Sequence, residues 1–186
     1  KIGEVFLAEL AGQAENKGVV TYLDDGVYDV SYLTPRIGAY NLTIAKANRG
    51  GLSASYFMNK WMLGDPIITR VDPLLDFWWG EDDTLTPTGK DFISVRWEGF
   101  ILPAFTEVYE IVVTVNDGVR VWVDDELIID KYDVNMGDRN TAEVYTASTP
   151  RTLVANQLVS VKIEYVELTG VAAFSFAWTS PSQPYE

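Results

Sequence analysis

The chain has 186 residues with 14 Lys and Arg against 27 Asp and Glu, and its formal charge of -13 disfavours nucleic acid and anionic membranes as partners. It contains neither cysteine nor histidine, which excludes disulfides, thiolate zinc sites, cysteine nucleophiles and histidine general bases. Apolar residues make up 47% of the chain and aromatic residues 13%, which is enough for a packed core.

The beginning of the chain shows no targeting or membrane segment. Lys1–Leu10 alternates and carries charges, which is unlike a signal peptide. No apolar run anywhere reaches the roughly 20 residues of a membrane span, so we expect no membrane insertion. Because the first residue is not methionine, we expect the chain to be processed or to be part of a longer protein.

Residues 25–45 predict two strands. Asp25-Gly26 is a turn signal, and Val27–Tyr32 then alternates aromatic and polar residues with the period of a half-buried strand. A second turn leads to Asn41–Ala45, which alternates in the same way.

This tract resembles the second half of a filamin-type immunoglobulin-like repeat. The resemblance is carried by Asp25-Gly26-Val27-Tyr28, then Tyr32, Pro35 and Gly38-Ala39-Tyr40. We assign residues 1–48 to it. A full immunoglobulin-type sandwich needs about 100 residues, so we expect neighbouring domains or another protein chain to complete this sheet. The alternative is an unrelated β-meander packed on the following domain.

A boundary is predicted near Ala47–Gly51, a short tract of small and polar residues. Residues 1–50 carry five Lys and Arg and six Asp and Glu, a net charge of -1, which leaves -12 for the rest. All 6 tryptophans follow the boundary. The change in composition indicates a second domain, which we assign to residues 51–186.

The second segment is a succession of predicted strands separated by turn residues. No part of it shows the periodicity of a helix, and β-branched and aromatic residues alternate with polar ones. The clearest strands are Ile93–Trp97, Tyr109–Val115, Val119–Val123, Val159–Tyr165 and Phe174–Trp178. The sequence therefore predicts an all-β chain, in which partial immunoglobulin-like (filamin-type) strands precede an antiparallel β-sandwich.

Several short motifs in this segment resemble the PA-fourteen (PA14) domain, which is named for the amino-terminal piece of anthrax toxin protective antigen. They occur in family order over about residues 51–182, and include Arg70-Val71-Asp72-Pro73, Val95-Arg96-Trp97-Glu98-Gly99 and Asn116-Asp117-Gly118-Val119-Arg120-Val121-Trp122. The resemblance implies a sandwich found in adhesins, toxins, glycosidase accessory domains and surface proteins. It also implies a non-catalytic domain that in many members binds carbohydrate.

The resemblance places a candidate calcium site at Asn116-Asp117. In sugar-binding members, two adjacent aspartates joined by a cis peptide bond hold a calcium ion that contacts sugar hydroxyls. Here Asn116 keeps an oxygen but removes one negative charge, which weakens calcium binding. A second loop, Val166–Val171 with Glu167, would supply further oxygens. The alternative is that Asn116-Asp117-Gly118 is a simple β-hairpin turn between two strands.

Other acidic and aromatic clusters favour structural interpretations. Glu81-Asp82-Asp83 is typical of a solvated loop, and Asp124-Asp125 of a hairpin turn. The spacing of the acidic and amide residues from Asp130 to Asp138 does not fit an EF-hand, because the glycine is misplaced and flanking helices are absent. Trp78 and Trp79 point to opposite faces of a strand, so at most one is exposed.

Two functions remain open. The first is a non-catalytic structural or adhesive module of a larger multidomain surface or filament protein. The second is a calcium-dependent carbohydrate-binding module, which is the only interpretation that calls for a cofactor. Paired carboxylates can hydrolyse glycosides without histidine, but no motif assigns acid and nucleophile roles, and we expect no enzyme.

Location is predicted on similar grounds. Asn41-Leu42-Thr43 is a glycosylation sequon, which makes Asn41 a candidate modified residue. The sequon, together with the resemblance to a family found in many surface proteins, favours an extracellular or cell-surface protein. A ciliary or cytoplasmic scaffold is the alternative.

Overall fold

The computed structural model describes residues 4–87, 89–133, 141–147 and 150–183, and its only regular elements there are strands, which confirms the all-β prediction. The chain divides into two compact units, Lys1–Arg49 and Gly50–Glu186. The strands of the first unit are β1 (Val5–Gly12), β2 (Asn16–Asp24), β3 (Val27–Ser31) and β4 (Tyr40–Ala47). Those of the second are β5 (Leu52–Phe57), β6 (Ile68–Asp72), β7 (Asp76–Gly80), β8 (Ile93–Ile101), β9 (Glu107–Asn116), β10 (Gly118–Val123), β11 (Glu126–Lys131), β12 (Glu143–Thr146), β13 (Arg151–Leu153), β14 (Val159–Glu167) and β15 (Ala172–Thr179).

The first unit is one antiparallel sheet with the strand order β3-β2-β1-β4. The predicted turn lies between β2 and β3, where Asp25 and Gly26 have φ angles of 47° and 80°. Such left-handed conformations suit glycine and are tolerated by aspartate. The filamin-type assignment of this unit stays a prediction.

One face of the first sheet is apolar and only partly covered. Ala8 lies opposite Ile44, and Leu10 lies opposite Leu42, and directly opposed residues share a face. Ala8 and Leu10 are buried, whereas Leu42 and Ile44 are 45% and 53% exposed. The sheet therefore presents apolar surface at its β4 edge.

The second unit is a sandwich of two antiparallel sheets. One sheet has six strands in the order β11-β10-β14-β8-β5-β6, and the other has the order β12-β9-β15-β7, with β13 also paired to β9. The alternating residues predicted to face inward do so: Val95, Trp97, Val113, Ile163 and Phe174 are each no more than 1% exposed. Burial of such side chains contributes roughly 1.5–3 kcal/mol each.

Aromatic rings join the two sheets across the core. The ring of Trp97 on β8 stacks on that of Phe174 on β15, with 4.7 Å between centroids. Trp79 on β7 stacks on Phe77 at 4.7 Å and on Tyr165 of β14 at 6.0 Å. These contacts join β15 and β7 of one sheet to β8 and β14 of the other.

Asp72 forms a polar centre within the six-stranded sheet. The residue is only 3% exposed, and its carboxylate accepts hydrogen bonds from Tyr56 Oη at 2.7 Å and Trp97 Nε1 at 2.8 Å. Arg70 Nε lies 2.5 Å from its other oxygen. Because Tyr56, Trp97 and Asp72 lie on β5, β8 and β6, this carboxylate connects three strands.

In the part of the chain that the structure describes, no helix has the length and hydropathy of a membrane span.

Candidate functional site

Asn116 and Asp117 lie where the chain passes from one sheet of the sandwich to the other. β9 pairs with β12, β13 and β15, whereas β10 pairs with β11 and β14. Because β9 and β10 belong to different sheets, Asn116-Asp117-Gly118 does not close a hairpin. The hairpin alternative is therefore wrong. The turn signal was correct as a change of direction, but the partners of each strand come from distant sequence.

The peptide bond between Asn116 and Asp117 is cis, as the resemblance implied. Both residues are buried, with 0% and 1% of their surface exposed. Two backbone groups, one near the end of β14 and one just after the strand, hold Asp117: its N–H donates to Val166 O at 3.3 Å, and Leu168 N–H donates to Asp117 Oδ2 at 2.7 Å.

Glu167 is brought to the same place at the end of β14 and is 0% exposed. The hydroxyl of Tyr165 connects it to Asn116, because it lies 2.6 Å from Asn116 O and 2.8 Å from Glu167 Oε2 and can donate its single proton to either oxygen. Burial, the charge and hydrogen bond of Glu167, and the charge of Asp117 raise the pKa of Tyr165 well above its ordinary value. Both carboxylates thus act on one hydroxyl.

One side-chain oxygen of each of these three residues is buried without accepting a hydrogen bond from the described part of the chain. The atoms are Asn116 Oδ1, Asp117 Oδ1 and Glu167 Oε1. The residues themselves have other contacts. We call these three residues the oxygen cluster.

The chemistry of the oxygen cluster suits a hard divalent cation. Calcium takes six to eight oxygen ligands from carboxylates, amide side chains, backbone carbonyls and water. The two carboxylates and the amide of the oxygen cluster are ligands of this kind. The sequence contains no His or Cys, whose nitrogen and sulfur atoms favour transition metals. Within the described residues no group of three or more Asp, Glu, His or Cys side chains could hold a metal. The oxygen cluster has two, with Asn116 in the third position.

The other predicted site residues lie elsewhere. Asn41 is exposed on β4. The 81–83 loop is exposed as expected, and Lys90 Nζ donates to Glu81 O at 2.9 Å. Asp124 and Asp125 form the tight turn between β10 and β11, with φ angles of 52° and 64°. The rejected EF-hand pattern includes Asn135 and Asp138, which lie outside the described residues.

The tryptophan pair divides as strand alternation predicts. Trp78 is 71% exposed, whereas Trp79 stacks on Phe77 and Tyr165 inside the sandwich. Trp78 pairs with Ala173, which in turn pairs with Asn116. The exposed indole therefore lies two strands away from the oxygen cluster.

Two contributors to the oxygen cluster could not be identified from the sequence. Alternation placed Tyr165 on the core face, and nothing in the pattern indicated that its hydroxyl would connect Asn116 and Glu167. Leu168 contributes through its backbone N–H, a group that nearly every residue has, so the type of residue at position 168 could not indicate the contact. A buried tyrosine needs a hydrogen-bond partner, and this requirement was the available signal for Tyr165.

Comparison with known proteins gives a family and a set of relatives. The family model described as "PA14 domain" matches residues 48–186. The anti-sigma-I factor RsgI3 of Acetivibrio thermocellus is 33% identical over 144 residues, which are 77% of this chain and 21% of that protein. The chain thus spans about a fifth of the length of this curated relative.

Solved structures are similar over the same share of the chain. Two anti-sigma factor domain-containing proteins, the second from Clostridium clariflavum, are each 34% identical, with TM-scores of 0.65 and 0.63. They match 74% and 73% of this chain and 45% and 44% of their own. A PA14 sugar-binding domain from an RTX adhesin is 20% identical, with a TM-score of 0.57, and covers 75% of this chain and 94% of its own. At that identity the likeness concerns the fold.

Proposed function

The chain belongs to the PA14 domain family, and from this premise we propose that its second unit is a non-catalytic, calcium-dependent carbohydrate-binding module of a larger multidomain protein. The observation that carries the proposal is the oxygen cluster. Two buried carboxylates and a buried amide come together from the β9–β10 crossing and the end of β14.

Burial of two neighbouring carboxylates is unfavourable in the absence of compensating charge. An ionised group removed from water is stabilised when it is paired or coordinates a metal ion. Asp117 and Glu167 are 1% and 0% exposed, and both charges act on the buried hydroxyl of Tyr165. A divalent cation at this place would offset the repulsion between them.

Each residue of the oxygen cluster has a definite part in this proposal. Asp117 and Glu167 would supply the charged ligands of calcium, and Asn116 a neutral oxygen. Leu168 N–H and Tyr165 Oη orient the two carboxylates by binding the oxygens Asp117 Oδ2 and Glu167 Oε2. The calcium would supply coordination to sugar hydroxyls. Fewer carboxylates mean weaker calcium binding, and extracellular calcium modules bind with dissociation constants of about 10⁻⁴–10⁻³ M.

The names of the relatives are compatible with this assignment. One similar fold is called a sugar-binding domain of an adhesin, and the more similar sequences are called anti-sigma factors. The chain matches less than half of each of the latter. We propose that it serves as the binding module of a protein whose other parts act on a partner such as a sigma factor.

A glycan array tests the proposal. The full chain is applied in calcium and in excess EDTA, and we expect retained glycans in calcium that are lost in EDTA. Asp117→Asn removes one charged ligand and should abolish the calcium-dependent signal. Asp83→Asn is the matched control, since it removes one exposed carboxylate that does not belong to the oxygen cluster.

Two results of the same array would contradict the proposal. Retention that is equal in calcium and EDTA would contradict calcium dependence. A signal lost equally in Asp117→Asn and Asp83→Asn would assign the effect to overall charge and not to the oxygen cluster.

The proposed location is extracellular. Asn41, Leu42 and Thr43 are all exposed on β4, so a glycosylating enzyme could reach the sequon in a folded chain. Intact mass spectrometry of the chain secreted from a eukaryotic host would show a glycan mass that disappears in Asn41→Gln. An unmodified mass would contradict glycosylation.

A structural or adhesive role is the second candidate, and the first unit favours it. Its sheet has edge strands β3 and β4 with one strand neighbour each in the described residues, and it exposes Leu42 and Ile44. Such edges and apolar faces are usually covered. We propose that a neighbouring domain or another chain completes this sheet.

Binding of the dye ANS tests for the uncovered face. Ile44→Lys places a charge on the apolar face and should lower ANS fluorescence of the isolated chain. Thr43→Lys adds the same charge on the opposite face of the same strand and should leave it unchanged. Equal fluorescence in both variants would contradict an accessible apolar face at β4.

A further inference from the structure

We propose that the outer face of the six-stranded sheet carries a second saccharide site, which binds a neutral oligosaccharide without calcium. The inference shares with the proposed function only the ligand class, because none of its residues belongs to the oxygen cluster. It concerns a groove centred on Trp122 and Ser160.

The groove is a cavity of about 620 Å³ on the second unit. That volume lies within the range of roughly 300–1,000 Å³ that small-molecule sites occupy. Its lining includes two aromatic rings and four hydrogen-bonding side chains. They are Glu98, Phe100, Trp122, Asp125, Ser160 and Lys162.

Strand register brings these residues together on the outward side of the sheet. Trp122 pairs with Lys162, and Lys162 pairs with Glu98, so the three form a row across β10, β14 and β8. Ser160 pairs with Phe100 in the next outward row. Between these rows, Val161 faces the core and is 2% exposed. The groove is thus built on paired strands, which fix its shape.

The lining matches the two-sided chemistry of a sugar ring. A pyranose has apolar C–H faces and a rim of hydroxyl groups, and the rings of Trp122 and Phe100 offer apolar surfaces to the former. The carboxylates of Glu98 and Asp125 accept hydrogen bonds from hydroxyls, Lys162 donates, and Ser160 does both. Phe100 is 36% exposed, so its ring is accessible from solvent.

Lys162 already contacts the indole of Trp122. Its Nζ lies 3.8 Å from the ring centroid, in a cation–π arrangement. At an accessible site such a contact is weak, and the flexible lysine stem allows the ammonium to move aside or to bind a ligand hydroxyl.

The charges of the groove disfavour other ligand classes. Two carboxylates against one lysine repel phosphate and other anions. Charged side chains on both sides make the groove too polar for a lipid chain. A neutral saccharide uses all six side chains, whereas a basic peptide would use the carboxylates and meet Lys162 as a like charge.

The groove lies apart from the oxygen cluster. Trp122 is five residues beyond Asp117, a separation of about 16 Å at the rise of a β-strand. Removal of calcium is therefore expected to leave the groove intact.

Calorimetry in excess EDTA tests the inference. The full chain is titrated with neutral hexasaccharides of glucose, xylose and mannose. We expect at least one of them to bind, and Trp122→Ala to weaken that binding by about tenfold or more, since buried aromatic anchors dominate binding. Glu98→Gln, which keeps the shape of the side chain, should weaken it less. Circular dichroism of each variant verifies the fold.

Two control variants test whether the effect of Trp122→Ala is specific to the groove. Trp78→Ala removes an exposed tryptophan from the other sheet and should not change the affinity in EDTA. Asp83→Asn, which removes an exposed carboxylate outside the groove, should not change it either. Trp122-dependent binding in EDTA would support the groove, and the absence of calcium-dependent glycan binding would separately contradict the calcium proposal.

Three results would overturn the inference. The first is the absence of binding by every hexasaccharide in EDTA, even where calcium-dependent binding occurs. The second is binding that Trp122→Ala and Glu98→Gln leave unchanged. The third is Trp122-dependent binding of a lysine-rich hexapeptide without binding of any saccharide.

Discussion

Asn116 differs by one charge from the aspartate expected at its position in a sugar-binding relative. The residue is 0% exposed beside Asp117 and Glu167, so the difference lies at a place where charge is costly. An amide there reduces the repulsion among neighbouring carboxylates and also reduces the attraction for a cation. At the proposed calcium site, an amide in this position would therefore trade affinity for calcium against stability in its absence.

Asn116→Asp tests this balance. A third buried carboxylate should lower the free energy of unfolding in EDTA by about 2 kcal/mol or more, because it adds a like charge beside the buried Asp117 and Glu167. In calcium the same variant should bind the ion about tenfold more tightly than the wild type. Thermal unfolding in EDTA and in calcium measures both effects. Equal melting temperatures of wild type and variant in both conditions would contradict a cation at this place.

Tyr132 provides a second prediction at this scale. Burial and the charge of Glu164 raise its pKa to about 12, against opposing effects of Arg120 and Arg96. Its hydroxyl donates to Lys60 O at 2.7 Å. Between pH 10 and 12 the folded state therefore keeps a proton that the unfolded state has lost, and the free energy of unfolding falls as pH rises.

Tyr132→Phe measures that contribution. Denaturant unfolding at several pH values should give a smaller alkaline loss of stability in the variant than in the wild type. Identical slopes of stability against pH would contradict the raised pKa of Tyr132.

The sequence indicated some, but not all, of the residues that form the candidate site. Family resemblance placed Asn116 and Asp117 in a candidate site, and the position of Glu167 between the last predicted strands added it. In the structure, Tyr165 Oη lies within hydrogen-bond distance of Asn116 O and Glu167 Oε2. Tyr165 and the N–H of Leu168 were missed because hydrogen bonding between loops depends on tertiary distances. Periodicity carries no such information.

At the scale of strands and turns, local patterns predicted the elements but not all of their partners. Alternation gave β8, β9, β10, β14 and β15, since a half-buried strand must repeat every two residues. For Asn116-Asp117-Gly118 the sequence left a calcium site and a hairpin open, and the hairpin alternative is wrong because β9 and β10 join different sheets, which a turn signal does not specify. Asp124-Asp125 does close a hairpin, between β10 and β11.

The carboxylate of Asp72 gives the prediction at this scale. It accepts from Tyr56 Oη and Trp97 Nε1 and pairs with Arg70, so it joins three strands. Asp72→Ala leaves these donors buried and should lower the free energy of unfolding by about 3–5 kcal/mol. Urea denaturation followed by tryptophan fluorescence measures the loss.

Asp76→Ala is the control for Asp72→Ala. Asp76 is an exposed aspartate on β7, and its removal should change stability by less than about 0.5 kcal/mol. Equal losses in the two variants would show that the Asp72 contacts contribute nothing particular.

At the scale of the whole molecule, the change in composition along the chain predicted a boundary between two domains. Charge and tryptophan content change near residues 47–51, and the structure separates Lys1–Arg49 from Gly50–Glu186. Long-range features did not follow from composition. The groove around Trp122 depends on the pairing of β10 with β14 and of β14 with β8, which joins Trp122, Lys162 and Glu98 although the paired residues are 40 and 64 positions apart, and no local pattern signals it.

The second unit should bind calcium by itself. Every residue of the oxygen cluster lies in Gly50–Glu186, which also contains both sheets of the sandwich. We expect a fragment of residues 50–186 to bind calcium with an affinity within about twofold of the full chain. Loss of binding in a folded fragment would show that the first unit is part of the site.

Calorimetric titration of calcium into the EDTA-treated and dialysed full chain is the most direct test of the central claim. The oxygen cluster predicts one saturable site with a dissociation constant of about 10⁻⁴–10⁻³ M, absent in Asp117→Asn and retained in Asp83→Asn. The absence of binding heat from the wild type at millimolar calcium, or undiminished heat from Asp117→Asn, would contradict it.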